Sequence, residues 1–138
     1  MKFKGFDGRE YSFELKYSKV RPKRRCSKEH KRARVILNEM FPSSIIVEEL
    51  PLKGSKTPKN STLAADFYIP SHNLIVEVHG QQHYEYTPHF HTTKYEFVRS
   101  QMRDRVKSEW CELNNITLVV LKYSDKDEDW RVAIESTK

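Results

Sequence analysis

Only two cysteines, Cys26 and Cys111, occur among 138 residues. That excludes a disulfide framework and leaves a reducing cytoplasm as the expected compartment. No run approaches the ~20 consecutive apolar residues needed to span a bilayer, so no membrane partner is expected. The opening MKFKGFDGRE lacks the apolar core of a secretory signal. Apolar residues make up 37% of the chain, a low share, yet they gather in short strong runs, which indicates an ordered core under a large polar surface. Acids are almost missing from one stretch: between Lys16 and Arg34 there are ten Lys or Arg residues and a single acid, Glu29. Outside it stand 15 basic and 18 acidic residues, so the net charge of +6 is one localised patch. Such a patch suits a polyanion, because each neutralised phosphate releases condensed counterions.

The length fits one compact domain, with no repeats. Residues 2–15 read as a hairpin around Asp7-Gly8, followed by a basic connector to Cys26. From Ser27, a good N-cap, Ala33, Ile36, Leu37, Met40 and Phe41 recur at helical spacing until Pro42. Strands are expected at 45–52, 62–69 and 74–79. A basic loop (53–61) joins the first two, and the turn Pro70–Asn73 joins the last two. A polar and aromatic loop (81–92) leads to a helix from Thr93 to about Asn114, opened by a Thr93/Glu96 capping box. Val98, Met102, Val106, Trp110 and Leu113 are its expected apolar stripe. Residues 116–123 (ITLVVLKY) read as a strand buried on both faces, and 130–134 as a short helix or strand. The order from residue 27 predicts an α/β sandwich around a short mixed sheet.

Asp66 interrupts the apolar strand LAADFYI, and Glu77 sits inside LIVEVH. A carboxylate within a buried strand is costly unless it is paired or binds a cation. Two on adjacent strands, joined by a tight turn, can approach within a few ångströms and share a divalent ion. Mg²⁺, or Mn²⁺, suits one or two carboxylates with water and phosphate filling the remaining sites. His79 shares the face of Glu77, since residues i and i+2 of a strand point the same way, and could act as general base or orient water.

Asp66, ten residues, then Glu77-Val-His79 within strand–turn–strand resembles the PD-(D/E)xK nuclease superfamily, with histidine in place of the final lysine. The stretch LAADFYIPSHNLIVEVHGQQHY is similar to the core of very-short-patch mismatch repair endonucleases and of EDxHD-type phage homing endonucleases. The resemblance covers roughly residues 27–125. It implies a restriction-endonuclease-like α-β-β-β-α-β core at 27–138, with the hairpin and connector at 1–26. It also implies metal-dependent hydrolysis of DNA phosphodiester bonds in a homing, repair or recombination setting, and a bacterial or phage-infected cell. Carried over by position, Glu29 would help hold metal or water and His83 would act at the scissile phosphate. Gln101, Asp104 and Arg105 would face the site from the long helix, Asp104 as the final acid of the EDxHD pattern. Asp66 follows Ala-Ala rather than Pro, and two lone cysteines cannot supply the repair enzymes' structural zinc, so mismatch specificity is not implied.

DNA-backbone contacts are expected from Lys16, Lys19, Arg21, Lys23, Arg24, Arg25, Lys28, Lys31 and Arg32, from the lysine loop Lys53, Lys56 and Lys59, and from Arg105. One site per chain makes one nick, so cutting both strands requires a homodimer or sequential nicks. Tyr84, Tyr86 and Phe90 could stack on bases or form a lid. His89 and His91 with Cys111 match no closed zinc pattern, and KGSKTPK lacks phosphate-loop spacing. The rivals are a DNA-binding module without cleavage and an interaction protein with a coincidental motif.

Overall fold

The computed structural model describes residues 1–13, 26–56, 62–85 and 93–138. Lys16, Lys19, Arg21, Lys23, Arg24, Arg25 and Lys59, with Tyr86, His89, Phe90 and His91, lie outside the described residues. The hairpin forms from β1 (Lys2–Lys4) and β2 (Glu10–Ser12), with Gly8 at φ 80° supplying the left-handed turn residue. Gly5 crosses Gly54 so closely that a Cβ on Gly54 would lie 2.3 Å from the Gly5 Cα, so only glycine lets the hairpin dock there.

α1 (Lys28–Met40) begins at Ser27, whose side chain accepts from the His30 N–H. It is followed by β3 (Val47–Lys56), β4 (Thr62–Ile69), a 3-10 turn and β5 (Leu74–His79). α2 (Lys94–Leu113) then crosses to β6 (Thr117–Lys122), and α3 (Asp127–Glu135) closes the chain. The sheet order is β3-β4-β5-β6, with β3, β4 and β5 antiparallel and β6 parallel to β5. This is the expected α/β class with a mixed sheet and a separate hairpin. β3 runs to Lys56, so Lys53 stands on a strand rather than in the expected loop.

Each face of the sheet carries its own core. α1 and α3 cover Phe67, Val76 and Leu121 with Ile36, Leu37, Trp130 and Ile134. On the other face α2 and β1 cover Leu50, Leu52, Ala65, Tyr68 and Ile75 with Trp110 and Phe3.

Two expectations from periodicity fail. Val98, Met102 and Leu113 of the supposed α2 stripe are 49%, 46% and 40% exposed. Val106 and Trp110 pack inward as expected, and the inward side otherwise carries a stripe of Ser100, Asp104, Lys107 and Cys111, at i, i+4, i+7 and i+11. Its middle is polar because it overhangs the site. β6 is an edge strand rather than one buried on both faces: Val119 and Leu121 are buried, while Val120 is 42% exposed.

Candidate active site

Strict alternation along β3 and β4 breaks at one level. Val47 and Leu50 face the same core although three residues apart, and so do Ala65 and Tyr68. The register that pairs Glu48 with Phe67 and Leu50 with Ala65 leaves Glu49 opposite Asp66 without a ladder pair. Glu49 has φ 56°, a left-handed conformation that is uncommon for a residue with a side chain.

Regular pairing of β4 with β5 also ends at Phe67–Val76, and side chains take over. The Asp66 N–H donates to Glu77 Oε2 at 2.7 Å, and the Val78 N–H donates to Asp66 Oδ2 at 2.8 Å. The other Glu77 oxygen accepts from Lys107 Nζ at 2.6 Å. Glu77 is 2% exposed, and Lys107 is the cation that makes its burial tolerable. Burial, reinforced by the adjacent Glu77 carboxylate, pushes the Asp66 carboxyl up to about 6. The two acids therefore line one polar cleft of about 250 Å³, together with His30, His83, Lys107 and Cys26.

His79 follows Glu77 onto the α2 side, but its partner is Asp104, at 3.9 Å from Nε2. Asp104 also accepts from His83 Nδ1 at 2.9 Å, and the two imidazoles stack at 4.1 Å and 9°. Burial holds the His79 ring down to about 4, so it is neutral at pH 7. His79, His83 and Asp104 thus form a second station beside the carboxylates.

Glu29 is displaced from its expected role. The buried side of α1 is His30, Ala33, Ile36 and Leu37, and Glu29 is a residue earlier, about 100° around the helix. His30 faces Asp66 instead, with Nδ1 4.0 Å from Oδ1. Its Nε2 meets Glu48 Oε1 at 2.7 Å, and Arg34 clamps Glu48 through Nε and Nη2, each at 2.9 Å. Among the described residues, two groups bring three ligand residues close enough to hold an ion: His30, Glu49 and Asp66, and His79, His83 and Asp104. Glu77, expected to share an ion with Asp66, belongs to neither, because Lys107 and the Asp66 N–H engage its oxygens.

Gln101 and Arg105 are exposed on α2 and do not line the cleft. Lys28 and Lys31 are exposed on α1, as phosphate contacts require. Arg32 is not available in that way: it pairs with Asp127 and lies 3.6 Å from the Trp130 ring centroid, joining α1 to α3. Lys53 donates to the Ser12 carbonyl at 2.8 Å, tying β3 to the hairpin.

Lys107, His30, Glu48 and Glu49 are the members that sequence reasoning missed. His30 had a legible signal, since it continues the apolar stripe of α1 at i, i+3, i+6 and i+7. Lys107 had none, because a lysine on a polar helix face ordinarily reads as solvated.

No family model matches the chain, and no solved structure matches it. The uncharacterized protein 307L of Invertebrate iridescent virus 6 is 44% identical over 68 residues, which is 49% of this chain and 34% of that protein. The uncharacterized protein 033L of Invertebrate iridescent virus 3 is 33% identical over 69 residues, 50% of this chain and 36% of that one. The chain thus spans about a third of the length of the curated relatives it matches. Among the described residues, no helix is long and apolar enough to cross a membrane.

Proposed function

We propose that the chain is a divalent-metal-dependent endonuclease that hydrolyses DNA phosphodiester bonds, nicking one strand per site in a viral repair, recombination or homing role. One observation carries this reading: Asp66 and Glu77, side by side in a buried cleft, share it with a histidine fixed by a carboxylate. Buried acids at this density are costly, and among the described residues Asp66 has no lysine or arginine within ion-pairing distance.

Asp66 would anchor the ion, which when bound supplies a Lewis acid and lowers the pKa of a water. Glu77, fixed by Lys107, orients the Asp66 backbone and places negative charge beside the attacking water. Lys107 contributes positive charge on the cleft wall, where charge develops on the phosphate. With Nδ1 held by Asp104, His83 has its other ring nitrogen left to exchange a proton with the leaving oxygen. Stacked His79 fixes that ring. Lys28 and Lys31, with the basic segment before them, would hold the strand electrostatically.

The test is nicking of a supercoiled plasmid with Mg²⁺, Mn²⁺ or EDTA. Nicking that requires the ion and is lost in Asp66→Asn is expected, with DNA affinity falling steeply as salt rises. An inert wild-type chain in both ions, or undiminished nicking by Asp66→Asn, overturns the reading. DNA binding without nicking would leave a non-cleaving DNA-binding protein.

A further inference from the structure

We infer that His30, Glu49 and Asp66 form the seat of a divalent transition-metal ion, with His30 Nδ1 as a nitrogen ligand and with Glu48 and Arg34 holding that ring in place. This rests on the reading of Asp66 as the ion's anchor, and adds its ligands and its class. The His30 side chain is 5% exposed, and Nε2 is committed to Glu48 at 2.7 Å. When Nε2–H is donated there, Nδ1 carries the lone pair. That nitrogen has no hydrogen-bond partner among the described residues and faces Asp66 Oδ1 at 4.0 Å. The ring is buried, but this nitrogen is open to the cleft, where an ion can reach it.

The surroundings match what a ligating imidazole needs. A metal-bound histidine ordinarily donates its second N–H to a carboxylate, which fixes tautomer and orientation. Glu48 occupies that place, is itself 5% exposed, and is gripped twice by Arg34. The ring is also stacked on Phe67 at 4.3 Å and 25°, and Phe67 is the residue next to Asp66. Glu49 stands opposite Asp66 across the interrupted ladder in a left-handed conformation. One ligand atom from each of the three lies within 4.8 Å of the others, so a single ion can touch all three with small adjustments. The second group is less suited: a ligating imidazole places the ion in its ring plane, and the His79 and His83 planes are nearly parallel, 4.1 Å apart at their centroids. Nitrogen ligation selects the ion. Imidazole favours first-row transition ions, whereas Mg²⁺ prefers an all-oxygen shell. The site should therefore bind Mn²⁺ more tightly than Mg²⁺.

The test uses the full chain loaded with Mn²⁺ alone, read by electron spin-echo envelope modulation and by titration of the free-ion signal. Bound Mn²⁺ should show nitrogen hyperfine coupling that persists in His83→Ala and disappears in His30→Ala. Glu48→Gln should weaken Mn²⁺ binding roughly 10–100-fold, as loss of an outer-shell partner does. The preference for Mn²⁺ over Mg²⁺ should shrink in His30→Ala. Should His30→Ala fail to fold, coupling that persists in a His79→Ala/His83→Ala double variant leaves His30 as the remaining histidine of the cleft, and coupling lost there overturns the inference. Bound Mn²⁺ without nitrogen coupling, coupling that survives His30→Ala, or no Mn²⁺ binding overturns the inference. Nicking supported by Mn²⁺ that shows no nitrogen coupling would overturn it and leave the nuclease reading standing. Nitrogen-coupled Mn²⁺ without nicking would do the reverse.

Discussion

Replacing Asp66 by asparagine should stabilise the metal-free protein while removing its function. Burial and the neighbouring Glu77 lift the Asp66 carboxyl from 3.8 to about 6. At about 1.36 kcal/mol per pKa unit, keeping it ionised in the native state costs about 3 kcal/mol. Since 24% of the side chain faces solvent, about 2 kcal/mol is the discounted figure. The sign follows from proton linkage. Between 3.8 and 6 the native state holds a proton that the unfolded chain has lost, so this group's penalty grows as pH rises and is fully present above 6. Asparagine keeps an oxygen to accept the Val78 N–H but carries no charge. In EDTA at pH 7.5, Asp66→Asn should gain about 2 kcal/mol in urea unfolding, roughly 6–8 °C in Tm for a domain of this size. At pH 4.5 the gain should shrink to about a third. Burial of His79 works the other way, costing stability below pH 6.5, but burial is its largest cause and is common to both proteins, so apart from the small Asp66 contribution it cancels in the comparison. With Mn²⁺ at 100 times its Kd the wild type should gain about 2.7 kcal/mol, and the variant nothing. A variant no more stable than wild type at pH 7.5, or an advantage independent of pH, would refute the account.

Other consequences concern the second station and the structural cations. Asp104→Asn and His83→Ala should each lower nicking about 10²–10⁴-fold, while Mn²⁺ affinity measured by titration changes little. Lys107→Met leaves Glu77 buried without its cation and should cost about 3–5 kcal/mol. Adding Glu77→Gln should recover most of that loss, measured as a double-mutant cycle in urea. Arg32→Ala should lower Tm through the lost α1–α3 contact, yet leave the salt dependence of DNA affinity unchanged. A flatter salt slope would return Arg32 to the DNA-contacting set.

The element order, the Ser27 and Thr93 caps, the strands 62–69 and 74–79 and the closeness of Asp66 to Glu77 were legible in the chain alone, because local periodicity, turn chemistry and the cost of a buried charge are all written in neighbouring residues. Long-range packing settled the rest. It aimed His30 rather than Glu29 at Asp66, since the rotation of α1 is set by which stripe packs on the sheet. It turned the polar side of α2 inward, because the site needs Asp104 and Lys107 more than the core needs Val98 and Met102. It set Glu49 across from Asp66 and engaged Arg32 with α3. Each of these joins residues far apart in the chain, and spacing along a sequence carries no record of which distant groups will satisfy a buried charge.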